Sequence, residues 1–188
     1  MEISWAPLKE RRIVIIGARH GGKSSSGNTI LGREAFVENI RNIKRTAQCV
    51  IQQGVVAGRH VTVVDTPGWL YNSPSCDTPI MDILEMRLSV SLCPPGPHAI
   101  LLTVPFGSAF NKPCCQAVRE HMMLFGDDVW RYTIVLFIRG DWFGDTTAEE
   151  HIESEGEDLK WFLEKCGNRY HVFNNKNRED DTQVKEFM

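Results

Sequence analysis

Gly17-Ala18-Arg19-His20-Gly21-Gly22-Lys23-Ser24 decides how the rest of the chain is read, because it fits the spacing G-x-x-x-x-G-K-[ST]. Such a loop carries chemistry only between a buried strand and a helix start, and both flanks are present. Upstream, Arg12 to Ile16 (RIVII) is a short β-branched run, as in a strand covered on both faces of a parallel sheet. Downstream, Lys23 to Gly32 reads as a helix with Gly32 at its C-cap. Between them the glycines let backbone N–H groups turn inward around phosphate oxygens. Lys23 sets a point charge against the β- and γ-phosphates, and the Ser24 hydroxyl is a ligand for Mg²⁺. Ser25, in the helix's first turn, completes this phosphate-binding set.

Outward from the loop, strands alternate with helices. Arg33 to Arg45 has no clean period and is expected to be a mobile surface segment. Cys49 to Val56 and His60 to Asp65 are expected to form an antiparallel pair at one edge, around a turn at Ala57-Gly58. Ile80 to Leu92 is amphipathic, with Ile80, Ile83, Leu84 and Leu88 at helical spacing. Ala99 to Val104 and Thr133 to Ile138 are buried strands, and Cys114 to Phe125 is a helix closed by Gly126. Pro94-Pro95-Gly96-Pro97 makes a rigid connector. Glu149 to Cys166 is helical with a break near Gly156, Tyr170 to Phe173 is a last strand, and Asp181 to Met188 begins a final helix. The fold expected is the α/β P-loop NTPase G-domain: three layers, α/β/α, around a mainly parallel six-stranded sheet with one antiparallel edge strand. Residues 1–188 read as one domain, and the last helix, cut by the chain end, suggests part of a longer protein.

Asp65-Thr66-Pro67-Gly68 closes the second of the paired strands. A carboxylate there, after a P-loop, suits a Walker-B role in holding Mg²⁺, and Gly68 can offer its N–H to a γ-phosphate. Kinases, ATPases and GTPases share those two elements, so the base decides between them. Arg139-Gly140-Asp141 follows the strand TIVLFI, at the sheet edge where ligands bind. A carboxylate can accept from both N1–H and the 2-amino group of guanine. Adenine lacks that donor pair and would leave Asp141 unpaired, at roughly 1–3 kcal/mol. The aliphatic part of Arg139 could lie over the base, and Asn174 or Asn175 could bond the guanine carbonyl. A P-loop kinase or ATPase would have to ignore Asp141.

Bulk composition narrows the partners. The formal net charge of −3 over 188 residues argues against nucleic acid as the main ligand. Six cysteines, none in a metal-binding spacing, are expected to be reduced thiols in the cytoplasm. The N-terminal MEISWAPLKERR has no apolar core of a signal peptide, and no apolar run reaches the ~20 residues of a membrane span. His98, His121, His151 and His171 show no metal spacing, and the acidic stretch Glu149 to Asp158 reads as a solvated helix face.

The chain resembles the G domains of the GTPases of immunity-associated proteins (the GIMAP, or AIG-type, family). The resemblance is carried, in order, by GARHGGKSSSGNTILGREAF, TAQC, VVDTPGW, LLTVPF, HMMLFGDD, YTIVLFIRGDW and GNRYHVFNN. The S-x-G-N-x-I-L-G continuation of the P-loop is quite specific to that family, and WFGDTTAEEHIESEG with KCGNRYHVFNNKN is most similar to its fish branch. The resemblance implies a GTP/GDP-binding fold related to septins and Tocs. It also implies GTP-dependent self-association, and often membrane or lipid-droplet attachment through parts outside the G domain. The family's switch threonine, three residues before a cysteine, maps onto Thr46, a third ligand for Mg²⁺ beside Ser24 and Asp65. The guanine motif, commonly T-[RK]-x-D, reads Ile138-Arg139-Gly140-Asp141, so a hydrogen bond that tethers the P-loop is expected to be missing.

Slow GTP turnover follows from the same residues. Trp69 stands directly after Gly68, where many GTPases carry a glutamine, and it has no acceptor to orient water. Some family members supply an arginine across a dimer from the loop after the fourth strand. Here that loop is Gly107-Ser108-Ala109-Phe110-Asn111. Lys23, Thr46 and Gly68 are left as the groups nearest the reacting phosphate. The alternative is a non-catalytic scaffold whose bound nucleotide only stabilises an interaction surface. Arg19 and His20 read as exposed loop residues, whereas Trp69, Tyr71 and Phe110 are as consistent with core packing as with an exposed apolar interface.

Overall fold

The computed structural model describes residues 9–38, 45–142 and 144–188. The start of the N-terminal stretch and the middle of the aperiodic stretch, residues 1–8 and 39–44, lie outside the described residues. Six strands, β1 (Glu10–Gly17), β2 (Val50–Val56), β3 (Arg59–Asp65), β4 (Ala99–Pro105), β5 (Thr133–Ile138) and β6 (Tyr170–Phe173), form one sheet in the order β2-β3-β1-β4-β5-β6. Every neighbouring pair is parallel except β2 with β3, as the sequence leads one to expect.

The β-branched run of β1 explains the layering. Side chains alternate across a strand, so Ile13 and Ile15 point to one face and Val14 and Ile16 to the other. The first pair joins Ile30, Phe36, Val63, Leu136, Phe173 and Val184, beneath α1 (Lys23–Leu31) and α7 (Thr182–Phe187). The second pair joins Met86, Val118, Leu159 and Phe162, which belong to α2 (Ile80–Ser89), α3 (Lys112–Met122) and α6 (Glu157–Lys165). Two further helices are α4 (Val129–Tyr132), a single turn the sequence reading does not foresee, and α5 (Ala148–Glu155). Gly156, with φ +88°, breaks α5 from α6 where the sequence places the interruption.

Strand order turns back on itself at β1, which pairs with β3 on one side and β4 on the other. In a parallel sheet a crevice opens at that point, beyond the strands' carboxyl ends. Gly17 ends β1, Asp65 ends β3, Ile138 ends β5 and Phe173 ends β6. The motifs, scattered along the chain, are thereby gathered on one edge.

Two expectations need correcting, and an alternative left open for Trp69, Tyr71 and Phe110 is resolved. The stretch after α1 is not loose where it is described: Phe36 is buried against α1, and the buried Asn28 amide accepts from the Ala35 and Phe36 N–H groups at 2.8 and 2.7 Å. Helix α2 turns its apolar stripe outward, leaving Ile80, Met81, Leu84 and Leu88 exposed, while Asp82, Met86 and Ser89 are buried. The reason is electrostatic: Asp82 takes Arg19 at 3.1 Å and Arg45 at 2.7 Å, which draws that face of the helix toward the loops. Trp69 and Phe110 belong to the core, at 2% and 3% exposure, and only Tyr71 of that trio reaches the surface. Among the described residues no helix is long and apolar enough to cross a membrane. All six cysteines are free thiols.

Candidate functional site

The N-terminus of α1 is built to face an anion. Its N-cap, Gly22, sits at φ +74° with no side-chain cap, and no acidic residue stands in the first turn. No carboxylate in the helix's own first turn compensates the positive end of its dipole. Gly22 at this φ disfavours any side chain, and a Cβ there would lie 2.3 Å from Cδ1 of Ile138, which would have to turn aside. That contact explains the aliphatic first position of the Ile138-Arg139-Gly140-Asp141 motif, since β5 supports the loop here by packing. Around this terminus a cleft of ≈ 200 Å³ is lined by Arg19 to Ser25, Glu38, Arg45, Thr46 and Gly68.

Lys23 is buried beneath the cleft and its Nζ donates to the Ala18 carbonyl at 2.9 Å. Burial pushes its pKa down to about 8 against the pull of Asp65, with Arg19 adding to the depression. Gly68 closes in from the β3 side, where a Cβ would meet Lys23 Nζ at 2.5 Å and the Arg19 nitrogen at 2.7 Å. The two loops are joined directly, Arg19 N–H donating to the Trp69 carbonyl at 2.6 Å. Arg19 is not the exposed loop residue the sequence suggests. Its guanidinium donates to the Gly68 carbonyl at 3.1 Å and to Asp82.

The three expected metal ligands do converge. Ser24 Oγ donates to Asp65 Oδ2 at 2.6 Å, and Thr46 Oγ1 approaches the same oxygen at 3.4 Å. The other oxygen, Asp65 Oδ1, is buried and has no hydrogen-bond partner among the described residues. Desolvation raises the Asp65 pKa, while Ser24, Lys23 and Thr46 oppose it. A buried carboxylate oxygen without a partner, flanked by two hydroxyls, suits a hard divalent cation with oxygen ligands such as Mg²⁺. No cluster of three or more His, Cys, Asp or Glu side chains offers another metal position among the described residues.

On the far side of the cleft the expected base-binding residues are close together but engaged. Asp141 accepts from Lys176 Nζ at 2.6 Å. Arg139, at φ +65°, lays its guanidinium 4.8 Å from the centre of the Trp142 ring. Asn175 turns toward α1, accepting from Thr29 at 2.8 Å and donating to Ser26 at 3.0 Å, whereas the Asn174 carbonyl oxygen of the side chain accepts from the Lys176 N–H at 3.1 Å. Asp82, Arg45, Lys176, Glu38 and Arg178 are additions that the sequence reading misses. Arg45 and Lys176 adjoin residues already singled out. Glu38 and Arg178, 140 positions apart, leave no local signal.

The segment that follows Gly68 is fixed in the core. Trp69 stacks on His121 with centroids 4.4 Å apart, and His121 bonds Thr78 at 2.7 Å and the Ala117 carbonyl at 2.6 Å. Burial lowers the His121 pKa from its ordinary 6.5. The unfolded chain then binds the extra proton more readily, so stability is full above pH ~6.5 and is lost as pH falls toward the folded-state value. As pH falls below about 6.5, the midpoint of thermal unfolding is expected to drop less steeply in His121→Phe than in the parent protein. Parallel profiles for the two proteins would show that His121 does not set this acid sensitivity.

The profile of the AIG1 family matches residues 11–188. GTPase IMAP family member 8 of Rattus norvegicus is 32% identical over 180 residues, covering 94% of this chain and 25% of that protein. Immune-associated nucleotide-binding protein 9 of Arabidopsis thaliana is 35% identical over 185 residues, covering 94% of this chain and 53% of that protein. The chain thus spans about a quarter of the rat relative's length and about half of the plant relative's. Among solved structures, Toc33 from Arabidopsis thaliana in complex with GDP and Mg²⁺ superposes with a TM-score of 0.63 at 14% identity, over 89% of this chain and 72% of that one. Era of Aquifex aeolicus bound to GDP and AlF4⁻ gives 0.65 at 15% identity, over 96% and 56%. At that identity the likeness is one of fold.

Proposed function

Since this chain belongs to the AIG1 family, we propose that it is a guanine-nucleotide switch that binds GTP and GDP with Mg²⁺, hydrolyses GTP slowly and self-associates under nucleotide control. The observation that carries the reading is Asp65: one oxygen takes Ser24 and Thr46, and the other is buried without a partner, beside an uncapped helix N-terminus. Gly17 to Gly22 and Ser25 form the phosphate cradle, Lys23 neutralises its charge, and Gly68 donates its N–H to the terminal phosphate. Ser24, Thr46 and Asp65 hold Mg²⁺, which when bound offsets the charge on the phosphate oxygens. Asp141 reads the base after exchanging Lys176 for the guanine N–H pair, with Arg139, Asn174 and Asn175 around it.

Self-association is supported by the exposed stripe Ile80, Met81, Leu84 and Leu88 on α2, an apolar face of a kind that marks interaction surfaces. The free thiols support the cytoplasm, and the stretches 142–156 and 165–177 support the fish branch of the family. We take 1–188 as one G domain. Displacement of a fluorescent GDP in the presence of Mg²⁺ tests the reading: GTP is expected to compete and ATP to fail. Equal competition by ATP would overturn it.

One observation favours a scaffold without catalysis. The residue after Gly68, where water would be oriented, is Trp69 stacked inside the core, and the loop after β4 is tied down by Phe110 N–H to Glu155 at 2.9 Å and Tyr71 to the Ala109 carbonyl at 2.8 Å. Single-turnover GTP hydrolysis across a range of protein concentration separates the two readings. A rate per molecule that climbs with concentration means a site completed by self-association, and a flat background rate means a scaffold.

A further inference from the structure

A ligand reaching from Lys23 to Lys176, the partner of Asp141, has to pass from one cavity into a second. The first is the phosphate cleft, and the second is lined by Ser25, Glu38 and the run Asn175 to Glu179. Ser25 and Glu38 line both, so they stand where the two cavities meet. Arg178 is bonded to each of them: its guanidinium donates to Glu38 Oε1 and, at 3.2 Å, to Ser25 Oγ. We propose that Glu38 and Arg178 form an ion-pair clasp across the middle of the bound nucleotide, the ribose and its adjoining phosphate, and set the rate at which nucleotide leaves. The proposal rests on the site being a nucleotide site.

Both arms of the clasp are braced from behind. Asn28, fully buried in α1, donates to Glu38 Oε1 at 2.9 Å while its own oxygen fixes Ala35 and Phe36. Glu38 therefore stands on the helix that starts at the phosphate cradle. The loop carrying Arg178 is gathered by Gln183, whose amide donates to the carbonyls of Asn174, Asn177 and Asp180 at 3.3, 2.9 and 3.2 Å. The ion pair thus links the segment after α1 to the loop after β6, each braced by its own hydrogen bonds. Both side chains keep about a quarter of their surface exposed, 27% for Glu38 and 26% for Arg178, so the link can open without unfolding either arm. A guanidinium resting against the first turn of α1 sits at the wrong end of the helix dipole. A phosphate beneath it would turn that repulsion into a bridge between helix and arginine. Arg178 Nε, buried and without a partner among the described residues, leaves the guanidinium a donor in reserve.

The test is the dissociation of a fluorescent GDP, chased with excess unlabelled GDP and Mg²⁺, from the whole chain. Glu38→Gln and Arg178→Gln are each expected to speed release about fivefold, the scale of one partly buried ion pair. The double variant is expected to release no faster than either single one, because each change already opens the same link. Single variants that release at the parent rate, or effects that multiply in the double variant, would overturn the clasp. If the parent protein binds no guanine nucleotide at all, the nucleotide reading itself fails, which the same titration shows before any chase begins.

Discussion

Lys23→Met is expected to remove tight nucleotide binding and, in the same protein, to stabilise the nucleotide-free fold. Lys23 is 7% exposed, and its charge is desolvated enough to bring the pKa from 10.5 to about 8. That shift corresponds to roughly 3 kcal/mol against the charged form in the empty protein. Methionine has a similar length and no charge to desolvate, so the cost disappears. One loss offsets part of the gain: the Ala18 carbonyl loses its bond to Nζ, worth about 1 kcal/mol, while the attraction of Asp65 is already contained in the lowered pKa. A net gain of about 1–2 kcal/mol is left, visible as a higher midpoint in thermal or urea unfolding without nucleotide. Binding should move the other way. Removing one partner of a buried charge pair costs about 2–5 kcal/mol, so affinity for GDP and GTP should fall by roughly a hundredfold or more. A Lys23→Met protein that is less stable when empty would mean the lysine is held for structure. Unchanged nucleotide affinity would remove the phosphate cradle from this loop.

Asp141→Asn is expected to move base preference from guanine to xanthine. The carboxylate accepts twice, which matches the N1–H and 2-amino donors of guanine. An asparagine amide offers one donor and one acceptor, which matches xanthine, where a carbonyl replaces the amino group. A site whose recognition depends on such pairing rejects the wrong partner strongly, so GDP affinity should drop by about a hundredfold and xanthosine diphosphate should overtake it. Stability should change little. Asp141 is paired with Lys176, whose side chain is 74% exposed, and exposed pairs contribute at most about 1 kcal/mol. Competition of the two diphosphates against a fluorescent GDP analogue reads the outcome. GDP binding that survives intact would detach Asp141 from the base, and loss of both bases would point to a fold defect.

Much of the fold was legible along the chain because strands in a parallel sheet leave local marks. The RIVII run before Gly17, the HVTVVD run before Thr66 and the TIVLFI run before Arg139 each announce a buried strand ending at a polar loop. The phosphate loop was equally plain, since its glycines and lysine lie within eight residues. Helix α2 shows where local pattern misleads. The apolar spacing of Ile80, Leu84 and Leu88 marks one face of a helix, but which face turns inward was settled by Asp82 and its two arginines. Arg19 was misread for the same reason: nothing near it in sequence announces the Gly68 carbonyl or Asp82.

The sequence by itself determined the six strands and the helices between them other than α4, and it offered candidate residues for a phosphate loop, for Mg²⁺ and for a base. These depend on short-range chemistry, on side-chain periodicity and glycine spacing within a few residues of one another. Only the tertiary structure decided which charges meet. It brought Ser24 and Thr46 to one oxygen of Asp65, Lys176 to Asp141, Arg19 and Arg45 to Asp82, and Arg178 to Glu38 across the cleft. Ion pairs of this kind join segments far apart in the chain, and a charge at long sequence separation has many possible partners until packing brings one of them within reach.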